Sequence, residues 1–228
     1  MNHLGDTYMK KYRLTEETKV INGHILHRIE ALKDFGGVKK GELGGWIEKE
    51  DNLSQNGKCW ICDEAKVYDN AKVFDDAWIY GEAEVHDNAE VCDYAHVYGN
   101  AEVYGDSKVY GNADVNGYSC VYGYAHVYGY AHVFGNARVY DNADVYGNNE
   151  VFGNAQVYGN AKVYGNVWVY GEAKVHGECR NQISGCVSNY WVYDETESDL
   201  TVTTCVRVRR WEDADWHEPT VDYMGIEQ

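Results

Sequence analysis

The chain has a single proline, Pro219, and no apolar run near the twenty residues that a membrane-spanning helix requires. It opens without the basic-then-apolar pattern of a secretory leader. The expectation is therefore a soluble cytoplasmic protein with no membrane partner. Basic side chains are scarce, 20 Lys and Arg against 37 Asp and Glu, for a net charge of −17. The deficit is uneven. Residues 1–59 hold ten basic and nine acidic groups (10 − 9 = +1), residues 60–179 six and eighteen (6 − 18 = −12), and residues 180–228 four and ten (4 − 10 = −6). An acidic middle repels phosphate backbones, so direct nucleic-acid binding is not expected. DNA mimicry by that surface is one alternative, and plain solubility of a tyrosine-rich surface is favoured over it. There is no phosphate-cradling glycine loop of P-loop or dinucleotide type, and no Ser-His-Asp or nucleophilic-cysteine context. The seven cysteines are odd in number and irregularly placed. Cys59 and Cys62 form a C-x2-C, but no second pair completes a tetrahedral zinc site. Reduced structural thiols, no metal and no cofactor are expected.

What the sequence has in abundance is one pattern. An aliphatic residue stands at every sixth position from Val67 to Val175, which is (175 − 67)/6 + 1 = 19 positions, eighteen Val and Ile79. Four residues after each comes a small residue, usually alanine, as at Ala71, Ala77, Ala83 and Ala89. Between them lie turn pairs such as Asp69-Asn70, Gly99-Asn100 and Gly159-Asn160. Gly and Asn tolerate the left-handed backbone of a sharp bend, whereas Val and Tyr favour extended chain. Each hexapeptide thus reads as one short strand and one corner. Three close a triangular coil, and coils stack by parallel pairing about 4.8 Å apart. Valine points into the prism, alanine fills the space near the corner, and the residues flanking valine point out. Each buried valine contributes about 1.5 kcal/mol or more. Repeat stability arises mainly between neighbouring repeats, so both ends need caps.

Repeats such as Val97-Tyr98-Gly99-Asn100-Ala101-Glu102 resemble the hexapeptide-repeat left-handed parallel β-helix family. The segment Leu43-Gly44-Gly45-Trp46-Ile47-Glu48, followed by Asn52-Leu53-Ser54, is similar to a largely uncharacterised bacterial and phage group within it, often labelled acyltransferase-like. The resemblance covers roughly residues 12 to 179. It implies an all-β, left-handed, single-stranded β-helix of eighteen residues per coil. It is specific for fold and weak for activity.

Three regions follow: an N-terminal cap over 1–58, the hexapeptide repeat over 59–179, and a C-terminal cap over 180–228. Residues 12–35 read as two strands around Asn22-Gly23, a hairpin signal, although Leu26, Ile29 and Leu32 also suit the start of a helix. Trp46 and Ile47 are expected to cover the open end of the first coil. From Leu53 to Ile61 is eight residues rather than six, so regular register begins near Cys59. Residues 190–193 and 200–208 read as strands, the second strictly alternating, that could form an antiparallel hairpin closing the other end.

Any function must then be read from the outer surface. Fifteen of the nineteen residues that follow the inward aliphatics are Tyr or Phe; the exceptions are His86, Cys92, Asn116 and His176. Eighteen residues apart they should stack, at about 0.5–1.5 kcal/mol per pair. One face is distinct. Before its inward residues run Trp60, Trp78, His96, Asp114, His132, Glu150 and Trp168; after them run Cys62, Tyr80, Tyr98, Asn116, Phe134, Phe152 and Tyr170. Trp60, Trp78, Tyr80, Phe152, Trp168 and Tyr170 are the candidate contact residues of a homo-oligomer, dimer or trimer, or of a protein partner. Asn116 interrupts the ladder between Tyr98 and Phe134. With His96, Asp114, Tyr118 and His132 it forms a candidate seat for a small ligand, such as a nucleotide-like metabolite. Tyr124, His126 and Tyr130 are further departures from the repeat in the same region. Arg207, Arg209 and Trp211 are a second candidate, suited to a small anion, with pairing to Glu212, Asp213 and Asp215 as the structural reading.

Acyltransferases of the fold, as the resemblance implies, are trimers that use a histidine as general base between subunits and a loop protruding from a coil. Here His132, His126 and His96 would be the candidate bases. The repeat has no insertion between 67 and 179, so that loop is missing. A non-catalytic binding or assembly protein is the favoured reading, and an acyltransferase relative the alternative.

Overall fold

The computed structural model describes residues 9–176 and the two strands Gly185–Ser188 and Trp191–Val192. Its repeat unit is a strand of two to four residues followed by a corner. Strands eighteen residues apart pair in parallel, as in Trp60↔Trp78, His96↔Asp114 and Glu102↔Cys120. Three sheets of eleven, eight and six strands result. We call these faces one, two and three. The inward valines and the corner alanines form one continuous buried core.

Corners are built by the second residue after each inward aliphatic, which takes positive φ. It is Gly in most coils and Asp in others, as at Gly99 (71°) and Asp87 (57°). Asp pays for a strained backbone by capping the next coil: Gly105 N–H donates to Asp87 Oδ2 at 3.0 Å, and Gly159 N–H to Asp141 Oδ2 at 3.1 Å. Where the inward alanine is replaced by a polar residue, its bonds are made. Ser119 Oγ donates to the Asn116 carbonyl at 2.8 Å, and Asn149 Nδ2 to the Val163 carbonyl at 2.9 Å. Burial of these groups is therefore tolerated.

The cap begins with β1 (Tyr12–Ile21) and β2 (His24–Ala31), joined at Asn22-Gly23 with φ of 51° and 91°. Two adjacent positive φ values are those of the tight hairpin turn whose twist matches its strands. The stretch containing Leu26 and Ile29 is thus strand, not helix. β3 (Leu43–Ile47) pairs antiparallel with β2 and parallel with the first rung of face one, Trp46↔Lys66 and Ile47↔Val67. This corrects the expectation that Trp46 and Ile47 lie over the open end. They form a rung themselves, and Tyr12 and Phe35 do the covering, edge-on to Trp60 at 6.2 and 5.3 Å. The eight-residue step from Leu53 to Ile61 follows a 3-10 turn, Glu50–Asn52, whose Asn52 amide donates to the Asp69 and Ala71 carbonyls.

At the other end, strand Gly185–Ser188 adds to face two and Trp191–Val192 to face one, both in parallel. The remainder of the expected C-terminal cap lies outside the described residues. No helix of the described residues is long and apolar enough to cross a membrane.

Candidate functional site on the tryptophan-bearing face

Face two collects the residues singled out above. Its rungs place Asp114 between His96 and His132. One carboxylate serves both rings: Oδ1 lies 3.7 Å from His96 Nδ1, and Oδ2 3.3 Å from His132 Nε2. All three side chains are part-exposed, so solvent screens these pairings. The aromatic column beside them is split. Tyr80 stacks on Tyr98 at 4.7 Å; Phe134 stacks on Phe152 at 4.9 Å, and Phe152 on Tyr170 at 5.3 Å. Between Tyr98 and Phe134 sits Asn116. Its side-chain amide has no hydrogen-bond partner among the described residues. Burial, and then Asp114 nearby, raise the Tyr98 phenol above its usual value, and burial pushes Tyr80 up to about 12. Both therefore remain hydroxyl donors at neutral pH.

Towards the cap, Gly36, Glu42, Cys62, Asp63, Trp78, Tyr80 and His96 line an open depression of about 520 Å³. The sequence pointed to Trp78, Tyr80 and His96. It missed Gly36 and Glu42, because the cap loop that brings them there is distant in the chain. Trp60 is a correction. It is fully buried beneath Tyr12 and Phe35, and thus cannot touch a partner, because the cap lies over the first rung. Trp168 is 50% exposed at the opposite end of the face. Phe152 and Tyr170 are half-covered by their own stack.

His126 lies on face three, edge-on to Tyr110 and with Nδ1 3.4 Å from Asp144. It therefore does not join His96 and His132. Arg207, Arg209 and Trp211 lie outside the described residues.

Among the described residues, three clusters bring enough His, Cys, Asp or Glu together to consider a metal: His24–Glu48–Asp69, Asp69–His86–Asp87 and Asp75–Cys92–Asp93. The first is arranged for another purpose. His24 turns Nδ1 to Glu48 at 3.0 Å and Nε2 to Asp69 at 3.5 Å, so each nitrogen serves a different carboxylate. A metal would take one nitrogen; an imidazolium bridge uses both. The hydrogen bond to Glu48 raises the His24 pKa. Burial opposes ionisation of Glu48, but bonds from His24 and the Asp69 N–H leave its pKa lowered. Among the described cysteines none is activated. Burial raises Cys59 and Cys120, and raises Cys62 and Cys92 to about 12. The Cys59 sulfur instead lies 3.1 Å from the buried Lys11 ammonium.

The stacked parallel strands and the outward polar and aromatic columns define a β-solenoid of hexapeptide repeats. Residues 155–171 match a family model described as the YdcK β-solenoid repeat. A stretch of 67 residues is 39% identical to an uncharacterised acetyltransferase, YdcK, of Escherichia coli strain K12, covering 26% of this chain and 21% of that protein. The match thus spans about a fifth of the relative's length. These similarities and the coil architecture fit a hexapeptide-repeat β-helix family.

Proposed function

We propose that this chain is a binding and assembly protein that works through the outside of face two. The observation carrying this reading is the interrupted ladder. At Asn116 the face offers a free amide, a carboxylate shared by two imidazoles, and the ends of two ring stacks above and below. Nothing in the repeat requires these groups, because face one stacks along its whole length without them. A small ligand occupies the middle of the face in this reading. Trp78, Tyr80, Phe152, Trp168 and Tyr170 contact a second copy, in a dimer or trimer, or another protein. The free thiols among the described cysteines suit the reducing cytoplasm. Light scattering at micromolar concentration tests the assembly arm, and a monomer would refute it. A thermal-shift screen tests the ligand arm, with Asn116→Tyr as the variant that should lose any response.

A second reading is supported by one geometric detail and one likeness. His132 beside Asp114 has the form of an oriented general base, and the YdcK relative carries an acetyltransferase label. Acetyl-CoA turnover that disappears in His132→Ala would replace the binding reading. The uninterrupted six-residue rungs argue against it, since they leave no loop to cover an acyl donor.

A further inference from the structure

The corners of the prism separate what the coil needs from what it does not. The third residue after each inward aliphatic, from 70 to 172, gives (172 − 70)/6 + 1 = 18 corner positions. Fourteen are Asn, Asp or Glu, and four are tyrosines: Tyr94, Tyr118, Tyr124 and Tyr130. The amides at these corners bond coil to coil. Asn70 donates to Asn88 at 3.2 Å, Asn88 to Asp106 at 3.1 Å, Asn136 to Asn154 at 3.3 Å and Asn148 to Asn166 at 3.2 Å. Tyrosine ends such a row. Asn100 precedes Tyr118 and Asn112 precedes Tyr130 by one coil, and neither amide has a partner among the described residues. The four rings are also 62–68% exposed, where the ladder tyrosines are half-covered. These corner tyrosines therefore expose apolar surface and add no coil-to-coil side-chain bond among the described residues.

Their placement is selective. Tyr94 and Tyr130 stand at the corner that leads into the rungs of His96 and His132. Tyr118 stands at the corner that leaves the rung of Asp114. Three of the four thus rim the Asn116 gap from both sides. We propose that this patch binds a short, uncharged oligosaccharide, with Tyr94, Tyr118 and Tyr130 against its C–H faces and Asp114 and Asn116 on its hydroxyls. The proposal rests on the binding reading above and assigns its ligand class. A pyranose ring has an apolar face that lies on an aromatic ring and a belt of hydroxyls that needs both donors and acceptors. The exposed phenol rings supply the first, and a carboxylate and an amide supply the second. Charge selects against the anionic alternatives. The repeat carries −12, and the centre of the patch is a carboxylate, so phosphates, uronates and nucleic acids are repelled.

The test uses the full chain on an array of neutral oligosaccharides, their uronate or sulfate counterparts, and nucleotides, followed by calorimetry on any binder. The control variant is Tyr118→Asn/Tyr130→Asn, which installs the residue that most other corners use and so keeps the coil. Neutral oligosaccharides should bind, their anionic counterparts should not, and the double variant should weaken binding about tenfold or more at an unchanged melting temperature. Absence of any neutral binder, preference for anionic ligands, or binding indifferent to the two substitutions overturns the inference. If a nucleotide or acyl-CoA binds instead, and Asn116→Tyr abolishes it, the glycan assignment fails while the binding reading stands. If nothing binds and the chain is monomeric, both fail.

Discussion

Faces one and two are built from the same hexapeptide and use their aromatic columns differently. On face one the rings run without a break. Tyr68, His86, Tyr104, Tyr122, Tyr140, Tyr158 and His176 stack at 4.9–5.1 Å, and His24 of the cap adds a tilted ring at the head. Every ring there is covered by its neighbours, so the column is a structural device. On face two the column is split at Asn116, and unsatisfied groups gather at the break. Repetition marks what holds the coil together. Departure from repetition, where the coil does not demand it, marks what is free to meet something else.

The largest expected effect ignores the difference between the faces, because the core is common to both. Val115, on the same rung as Asp114, is fully buried. Val115→Asp places an uncompensated carboxylate in the prism and should cost about 3–5 kcal/mol. Denaturant unfolding at neutral pH should show a far weaker or absent transition, and a wild-type midpoint would mean that the column does not bear the load assigned to it.

The next pair of substitutions inverts the two faces. Tyr122 stacks on Tyr104 and Tyr140, both at 4.9 Å. Tyr122→Ala removes two ring contacts and should lower stability by about 1–3 kcal/mol, with ligand binding on face two intact. Asn116→Tyr supplies the missing ring between Tyr98 and Phe134 and should raise stability by a similar about 1–3 kcal/mol while removing binding. Chemical denaturation of both variants decides it. If Asn116→Tyr destabilises, the gap is a packing necessity, not a vacancy kept for a ligand.

Much of this was legible in the sequence because period six is a strong constraint. The valine column, the corner residues and the membership of face two follow from counting, and each coil repeats the same local chemistry. Asn22-Gly23 gave the hairpin by its turn preference alone. What was not legible lay where the chain leaves the period. Trp60 looked like an interface residue because its column is exposed elsewhere, yet nothing local shows that Tyr12 and Phe35 cover it. Gly36 and Glu42 reach the depression through the cap, a contact between distant segments. The signal for the rim was present but diluted: Tyr94 and Tyr130 stand out only when every corner residue is compared with its fellows.

A weaker perturbation acts at the head of face one. His24 ties the hairpin to Glu48 and Asp69 and lies against Tyr68 at 5.1 Å. Its pKa is raised in the folded state, so its contribution is complete below the unfolded value of about 6.5 and is lost as pH rises through the folded value. The Glu48 pKa is lowered, so its contribution is present above about 4.3 and is lost as pH falls through the folded value. Cap attachment should therefore be firmest between these limits. Hydrogen exchange of β1 and β2 across pH 4 to 8 should show a protection maximum in that window, flattened in His24→Gln. A maximum that survives the substitution would assign the pH response to other groups, and a flat wild-type profile would remove the latch.

The smallest expected effect is the sharpest test of why the two faces differ. Tyr130 lies between Asn112 and Asn148 in one corner row, and Asn148 already donates to Asn166. Tyr130→Asn allows that row to run on, at the loss of an exposed ring that stacks on nothing. Exposed positions of this kind change stability by no more than about 0.5 kcal/mol, in either direction. Thermal melts of wild type and variant should therefore coincide within about 2 °C for a chain of this size. A clear loss of stability would show that the corner tyrosine packs usefully on the coil, and the contrast between satisfied and unsatisfied faces would weaken. Coincident melts would leave the exposed ring without a role in folding, so that its position beside His132 has to be explained by what it contacts from outside.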